Sequence, residues 1–196
     1  MNSVPTASVP TASEIGPTKA ALLIVDVQEA AVALGPLRGA EVVRNIGALA
    51  AASRTAGLDV IYVQHDGAPG EDTEPGTPGW PIHAAIAPRS DEVVVRKRFN
   101  SAFRETDLRD RLVDRGVDTL VLTGVQTEYC VDTTCRVAFE YGFRVIVPDW
   151  GHTTYDNGNV SAEALHALYT WRIWDARFAQ VLTVERTLDR IRSRTL

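Results

Sequence analysis

The chain has 196 residues, 45% of them hydrophobic and 23% charged, which suits one globular domain with a well-buried core rather than two. Lys and Arg total 20 against 25 Asp and Glu, a formal net charge of −5. There is no extended run of like charge and no basic stripe interleaved with aromatics, which speaks against nucleic acid or an anionic membrane as partner. No stretch reaches the roughly 18 to 20 consecutive apolar residues of a membrane helix, and the start lacks the charged and apolar parts of a signal peptide. The expected location is cytoplasmic.

The first residues carry a short repeat, SVPTAS at Ser3 to Ser8 and again at Ser8 to Ser13, poor in large apolar groups. Residues 1–17 are expected to be a disordered tail and 18–196 a single domain. From Lys19 onward, short and nearly continuous apolar runs alternate with amphipathic stretches of helical length. The runs are Ala20 to Val27, Asp59 to Gln64, Glu92 to Arg96, Thr119 to Gly124, Phe143 to Pro148 and Ala179 to Val184. Helical patterns lie between them at about Gly39 to Ala56, Thr106 to Arg115, Thr127 to Tyr141, Ser161 to Ala176 and Glu185 to Ser193. Gly57, Gly116 and Gly142 stand where helices should end. The pattern predicts an α/β three-layer sandwich, a six-stranded parallel sheet with helices on both faces. The connection from His65 to Pro88 is rich in Gly and Pro, aperiodic and long, as substrate-facing loops often are. In open α/β sheets ligands sit beyond the carboxyl ends of the strands, so the residues just after each strand carry most of the functional information.

Three such residues bear chemistry. Asp26 interrupts the first run near its end, where a carboxylate must be paired, hydrogen-bonded or neutralised; it is either a site residue or the cap of the following turn. Lys97 is the middle of three consecutive basic residues after the third run, and Arg96 and Arg98 compete with it. Cys130 falls in the first turn of a helix if Thr127 is its N-cap, where unpaired N–H groups and the helix dipole lower a thiol pKa; a small buried core cysteine is the alternative. Cys135 is assigned to the core. The two cysteines make no disulfide framework, and no zinc-ligand spacing is present. A lysine beside Cys130 would favour thiolate, and an aspartate could take its proton and later activate water.

The motifs LLIVDVQ, GTPGWPIH, VVVRKRFNSAF, GVQTEYCVDTTCRVAFEYGFRV and PDWGHTT, in that order, resemble those of the isochorismatase-like cysteine hydrolases, a superfamily that includes nicotinamidases and carbamoylsarcosine amidohydrolase. The resemblance runs from about Lys19 to the C-terminus and implies a Rossmann-like strand order. Aligning SAF at Ser101 to Phe103 selects Lys97 from its neighbours. The resemblance implies an Asp26, Lys97 and Cys130 triad with Cys130 forming a thioester. It implies a cis peptide between Val125 and Gln126, and an oxyanion hole made by the backbone amides of Gln126 and Cys130. The nicotinamidases bind a metal through an Asp and two His; here His65 is followed by Asp66 without such a cluster, so no metal or other cofactor is expected, and His65 is read as a loop or wall residue. Members that cleave a vinyl ether lack the cysteine, and Cys130 argues against that branch.

The chain departs from many relatives at Trp150, an apparent extra residue before His152, and at Leu168, Tyr169 and Thr170, where a His-His-Asn stretch is common. Trp150 is expected to pack under a loop or at a subunit contact rather than to form a substrate wall. Trp171 and Trp174 are expected in the core or at an oligomer interface. The expected activity is metal-independent hydrolysis of a C–N bond in a small amide, lactam, ureide or carbamoyl compound. Another acyl transfer, a lyase-like step, or a catalytically silent ligand-binding member are the alternatives. Candidate substrate walls are Gln28, Trp80, Phe103, Tyr129 and His152, and the expected assembly is a homodimer or homotetramer.

Overall fold

The computed structural model describes residues 19–196, so the expected tail over 1–17 lies outside the described residues. In the first strand (β1, Ala20–Val25) every residue is buried. Leu23 and Val25 enter one core with Ile61 and Val63, while Leu22 and Ile24 enter a second with Val60 and Tyr62. A strand apolar at every position is what a sheet covered on both faces requires, and burial of side chains such as Leu22 and Leu23 contributes about 1.5–3 kcal/mol each.

The other strands are β2 (Asp59–His65), β3 (Val93–Lys97), β4 (Thr119–Val125), β5 (Arg144–Pro148), β6 (His152–Thr153) and β7 (Gln180–Leu182). All pairings between them are parallel, in the order β3-β2-β1-β4-β5-β7, with β6 alongside the end of β4. The six expected strands are present. The two-residue β6 is an addition that periodicity cannot announce. Among the described residues the helices are α1 (Glu29–Ala33), α2 (Gly39–Ala56), α3 (Leu108–Asp114), α4 (Asp132–Glu140), α5 (Ala162–Leu168) and α6 (Val184–Ser193). Ile46 and Leu49 of α2 and Ile191 of α6 cover one face; Leu108 and Leu112 of α3 and Cys135 and Ala138 of α4 cover the other. Gly57, at φ 74°, ends α2 by donating its N–H to the carbonyls of Ser53 and Arg54. No described helix is long and apolar enough to cross a membrane.

Two expected helices are not regular. The Thr127 to Tyr141 pattern opens with a π-helical turn (Thr127–Val131) before α4, and α5 runs into a second π-helical turn, Tyr169–Trp174. Thr127 is not the N-cap: Gln126 occupies that place in extended conformation, without a side-chain cap. Trp174 is fully buried and donates its indole N–H to Asp132 Oδ1 at 2.8 Å, whereas Trp171 is 49% exposed. The chain leaves β1 toward β2 on one side and returns to β4 on the other, which opens a crevice at the ends of β1 and β4.

Candidate active site

Asp26 follows β1 directly. Its N–H bonds the Val63 carbonyl at 2.9 Å, and its backbone takes φ 54°, a left-handed conformation that aspartate tolerates better than most side chains. The residue is 7% exposed. Across the crevice, Gly124 of β4 has φ 142°, and a Cβ there would lie 2.1 Å from the Val25 carbonyl oxygen. Only glycine lets β4 come this close to the end of β1.

Strand alternation selects Lys97. Val95 and Lys97 point inward, while Val94, Arg96 and Arg98 are exposed. Arg96 pairs with Asp66 at 2.8 Å and lies over the Trp80 ring at 5.0 Å. The Lys97 side chain, fully buried, must cross the end of β2, because β3 and β1 are not neighbours. Two strand spacings are about 10 Å, a gap that a four-carbon stem and an aspartate close between them. Nζ lies 2.5 Å from Asp26 Oδ2 and donates to the Phe99 carbonyl at 2.9 Å and to Cys130 Sγ at 3.3 Å. Burial opposes the ammonium charge, but Asp26 and Cys130 outweigh it and hold the Lys97 pKa above the ordinary lysine value.

Cys130 is carried by the π-helical turn, which follows a cis peptide between Val125 and Gln126. The Gln126 carbonyl accepts from the amides of Tyr129 at 3.1 Å and Val131 at 3.2 Å, which wraps the turn around the thiol. Burial pushes the thiol pKa up to about 12; the Asp26 charge adds to this, and Lys97 works against it. Desolvation and the neighbouring carboxylate thus work against the low pKa expected from a helix start. The resting pair is a neutral thiol beside an Asp26–Lys97 ion pair.

These groups open on a cavity of about 350 Å³ lined by Asp26, Cys130 and both residues expected to supply oxyanion amides, Gln126 and Cys130 itself. Gln28 and Tyr129 also line it. The Gln28 amide is fully engaged: it donates to the carbonyls of His65 at 3.0 Å and Trp80 at 2.7 Å and accepts the His65 N–H at 2.9 Å, tying the long loop to β2. Trp80, Phe103 and His152 do not line the cavity, which corrects three expected walls. The Trp80 indole bonds Asp66 at 2.9 Å under Arg96, and Phe103 packs in the core against Tyr141 and Phe143. Residues that sequence reasoning missed are Leu34 at the end of α1, Asn100, Tyr155, and Glu71 and Asp72 of the long loop. His65 lines the cavity, as a wall residue would. No group of three His, Cys, Asp or Glu side chains among the described residues is placed to hold a metal ion.

His152 instead supports the turn from below. The Thr170 hydroxyl donates to the His166 carbonyl at 2.5 Å, so toward His152 Nε2, at 3.3 Å, its oxygen accepts. Nδ1 is then unprotonated and accepts the Thr127 hydroxyl at 2.9 Å. Burial, and then His166, hold the His152 pKa well below the ordinary histidine value, so this neutral tautomer persists. His166 stacks on His152 at 4.5 Å and on Trp150 at 4.1 Å, and Arg38 covers the outer face of Trp150 at 3.9 Å. Trp150 thus packs under a loop, and it does not line the cavity.

Comparison with known proteins fits this arrangement. The sequence is 42% identical over 151 residues to a streptothricin hydrolase of Streptomyces noursei, covering 76% of this chain but 60% of that protein. It is 31% identical over 172 residues to the ureidoacrylate amidohydrolase RutB of Variovorax paradoxus, covering 67% and 68%. A cysteine hydrolase from Pseudomonas syringae pv. phaseolicola superposes with a TM-score of 0.84 at 28% identity, covering 98% of this chain and 100% of that one. The Isochorismatase domain matches residues 20–186, a span that takes in all seven strands and the whole crevice, and the chain belongs to that family.

Proposed function

We propose that this protein is a cysteine hydrolase that cleaves the C–N bond of a small amide, lactam, ureide or carbamoyl compound through a thioester on Cys130. The observation that carries this reading is the position of Lys97 Nζ, 2.5 Å from Asp26 Oδ2 and 3.3 Å from Cys130 Sγ beside an open cavity. Asp26 accepts the thiol proton as sulfur attacks the carbonyl carbon, and Lys97 stays beside the thiolate. The oxyanion of the tetrahedral intermediate is held by the amides of Gln126 and Cys130. Asp26 then gives its proton to the departing nitrogen, the C–N bond breaks, and the thioester remains. In the second half Asp26 takes a proton from water, hydroxide adds to the thioester, and the acid leaves as sulfur regains a proton. The names of the streptothricin hydrolase and ureidoacrylate amidohydrolase relatives support C–N hydrolysis of small molecules, as does the cysteine hydrolase of the same fold. Self-association as a homodimer or homotetramer belongs to the same reading, with Leu168 and Trp171, 45% and 49% exposed, as apolar surface available for it.

Intact-mass spectrometry on protein incubated with a panel of amides, lactams and ureides tests the mechanism. A mass increase at Cys130, one oxygen-18 in the acid product from labelled water, and loss of turnover in folded Cys130→Ala protein are expected. Unchanged turnover in Cys130→Ala protein would sink it.

A further inference from the structure

The reaction above leaves the end of the PDWGHTT motif without a role, although His152, Thr153 and Thr154 are at most 1% exposed. His152 and Thr153 form β6 beside Gly124 and Val125, so this strip runs along the last residues before the Cys130 turn. Two of its side chains reach into that turn. His152 Nδ1 accepts the Thr127 hydroxyl at 2.9 Å, and the Thr154 hydroxyl donates to Glu128 Oε2 at 2.5 Å. Glu128 Oε1 in turn accepts from the Gln126 side-chain amide at 3.1 Å. The strip is anchored on its other side, where the Thr153 hydroxyl donates to the Leu37 carbonyl at 2.5 Å and the Leu37 N–H donates to the Thr154 carbonyl at 2.9 Å. The His152 ring cannot turn without losing a partner: Nε2 bonds Thr170, His166 stacks on one face, and Trp174 meets the ring edge to face at 4.9 Å. A π-helical turn is a less favourable repeat than an α-helical one, so such side-chain bonds decide where its amides point. Thr127 stands between Gln126 and Cys130 and is fully buried, so its hydroxyl depends on His152 for a partner.

Building on the thioester mechanism above, we propose that His152 is a positioning residue for that reaction. Through the Thr127 hydroxyl it holds the turn so that the amides of Gln126 and Cys130 meet one carbonyl oxygen. It lies outside the cavity and touches neither sulfur nor substrate. Attack on a carbonyl then depends on His152, whereas displacement at a saturated carbon, which puts no charge on an oxygen, does not.

The test compares two reactions of the same sulfur. In acylation by p-nitrophenyl acetate the C–S bond forms, the carbonyl oxygen carries the transient negative charge, and nitrophenolate departs, with the thiol proton taken up by Asp26. Methylation by iodomethane also forms a C–S bond but expels iodide without an oxyanion. Full-length protein at pH 7.5 is followed by nitrophenolate release and by intact mass, and Cys130→Ala protein gives the background. Thr127→Val protein should acylate about tenfold more slowly while its methylation stays within about twofold of wild type. Thr127→Ser protein, which keeps the hydroxyl, should recover most of the loss. His152→Phe protein, which keeps a flat ring for His166 and Trp174, should lose as much as Thr127→Val. Combining the two should cost little more, because both remove one hydrogen bond. If His152→Phe protein fails to fold, the two Thr127 variants decide alone. Folded variants in which acylation and methylation fall together, acylation is unchanged, or the two losses multiply overturn the positioning role and leave the hydrolase reading standing. Wild-type Cys130 that takes no acetyl group above the Cys130→Ala background instead removes the thioester mechanism, and this role with it.

Discussion

Replacing Asp26 by asparagine should make Cys130 more reactive toward a small alkylating agent while it abolishes hydrolysis. In the wild-type protein burial and Asp26 push the thiol pKa up to about 12, so that little thiolate is present at pH 7.5. Asp26 raises that pKa in two ways: its charge repels the thiolate, and it occupies the ammonium that would otherwise stabilise sulfur. Unit charges 3.3 Å apart, the Nζ to Sγ distance, attract by about 5 kcal/mol at an effective dielectric constant near 20. Much of that attraction is offset in the wild-type site by the carboxylate. If a third to a half of it is recovered in the variant, after the cost of leaving a buried ammonium without its partner, the thiolate fraction rises about ten- to a hundredfold. Timed iodoacetamide labelling at pH 7.5, read by mass spectrometry at Cys130, measures this directly, and turnover on any accepted amide is followed in parallel. The two rates should move in opposite directions. An Asp26→Asn protein with an unchanged melting curve whose Cys130 alkylates no faster than wild type would refute the charge arrangement described above.

Lys97→Met should destabilise the fold by about 3–5 kcal/mol in urea unfolding, because it leaves the Asp26 carboxylate buried without its cation, and adding Asp26→Asn should restore part of the loss. Gly124→Ala should cost about 3 kcal/mol and lower the melting temperature, since the new Cβ meets the Val25 carbonyl, a backbone atom that cannot step aside. Stability should fall as pH rises from about 9 to about 12. Over this range the unfolded chain releases thiol protons that native Cys130 and Cys135 retain, and above about 10.5 the raised pKa of Lys97 acts in the same direction. Unfolding free energies from urea melts at pH 8 and 10.5 should differ by less in Cys130→Ala than in wild-type protein, by about 1–2 kcal/mol.

The strands were readable because a sheet buried on both faces leaves long apolar runs, and Gly57 marked the end of α2 through its backbone freedom. Lys97 could have been separated from Arg96 and Arg98 by strand alternation alone: from Val95, two residues along the strand leads to Lys97 on the same inward face. Other features depended on contacts that no local pattern carries. His152 reads as a wall because it follows a strand, yet it is buried beneath the Thr127 turn by partners 14 and 18 residues further on, His166 and Thr170. Trp80 lies in the loop where substrate contacts are expected, but Asp66 and Arg96 hold its ring elsewhere. The π-helical start of the Cys130 segment is invisible to a 3.6-residue period. The forces on the thiol were only partly legible for a related reason: the helix start is local, whereas the opposing carboxylate, Asp26, follows β1, more than 100 residues earlier in the chain.

In the proposed mechanism, thiol, carboxylate and ammonium together also explain how the site can rest with the Cys130 thiol protonated. Moving the proton from Cys130 to Asp26 exchanges one anion for another, and Lys97 Nζ lies within 3.3 Å of both groups. The net charge of the buried group does not change, so the desolvation cost that would attend creation of a lone thiolate is largely cancelled. That cancellation requires one cation to touch two anions that come from β1 and from the turn after β4, while itself standing on β3. The sheet order places β2 in between, and only a long, flexible side chain with a compact charge at its tip spans that distance with no exposed surface. The choice of lysine, like that of glycine at position 124, follows from where the parallel strands end.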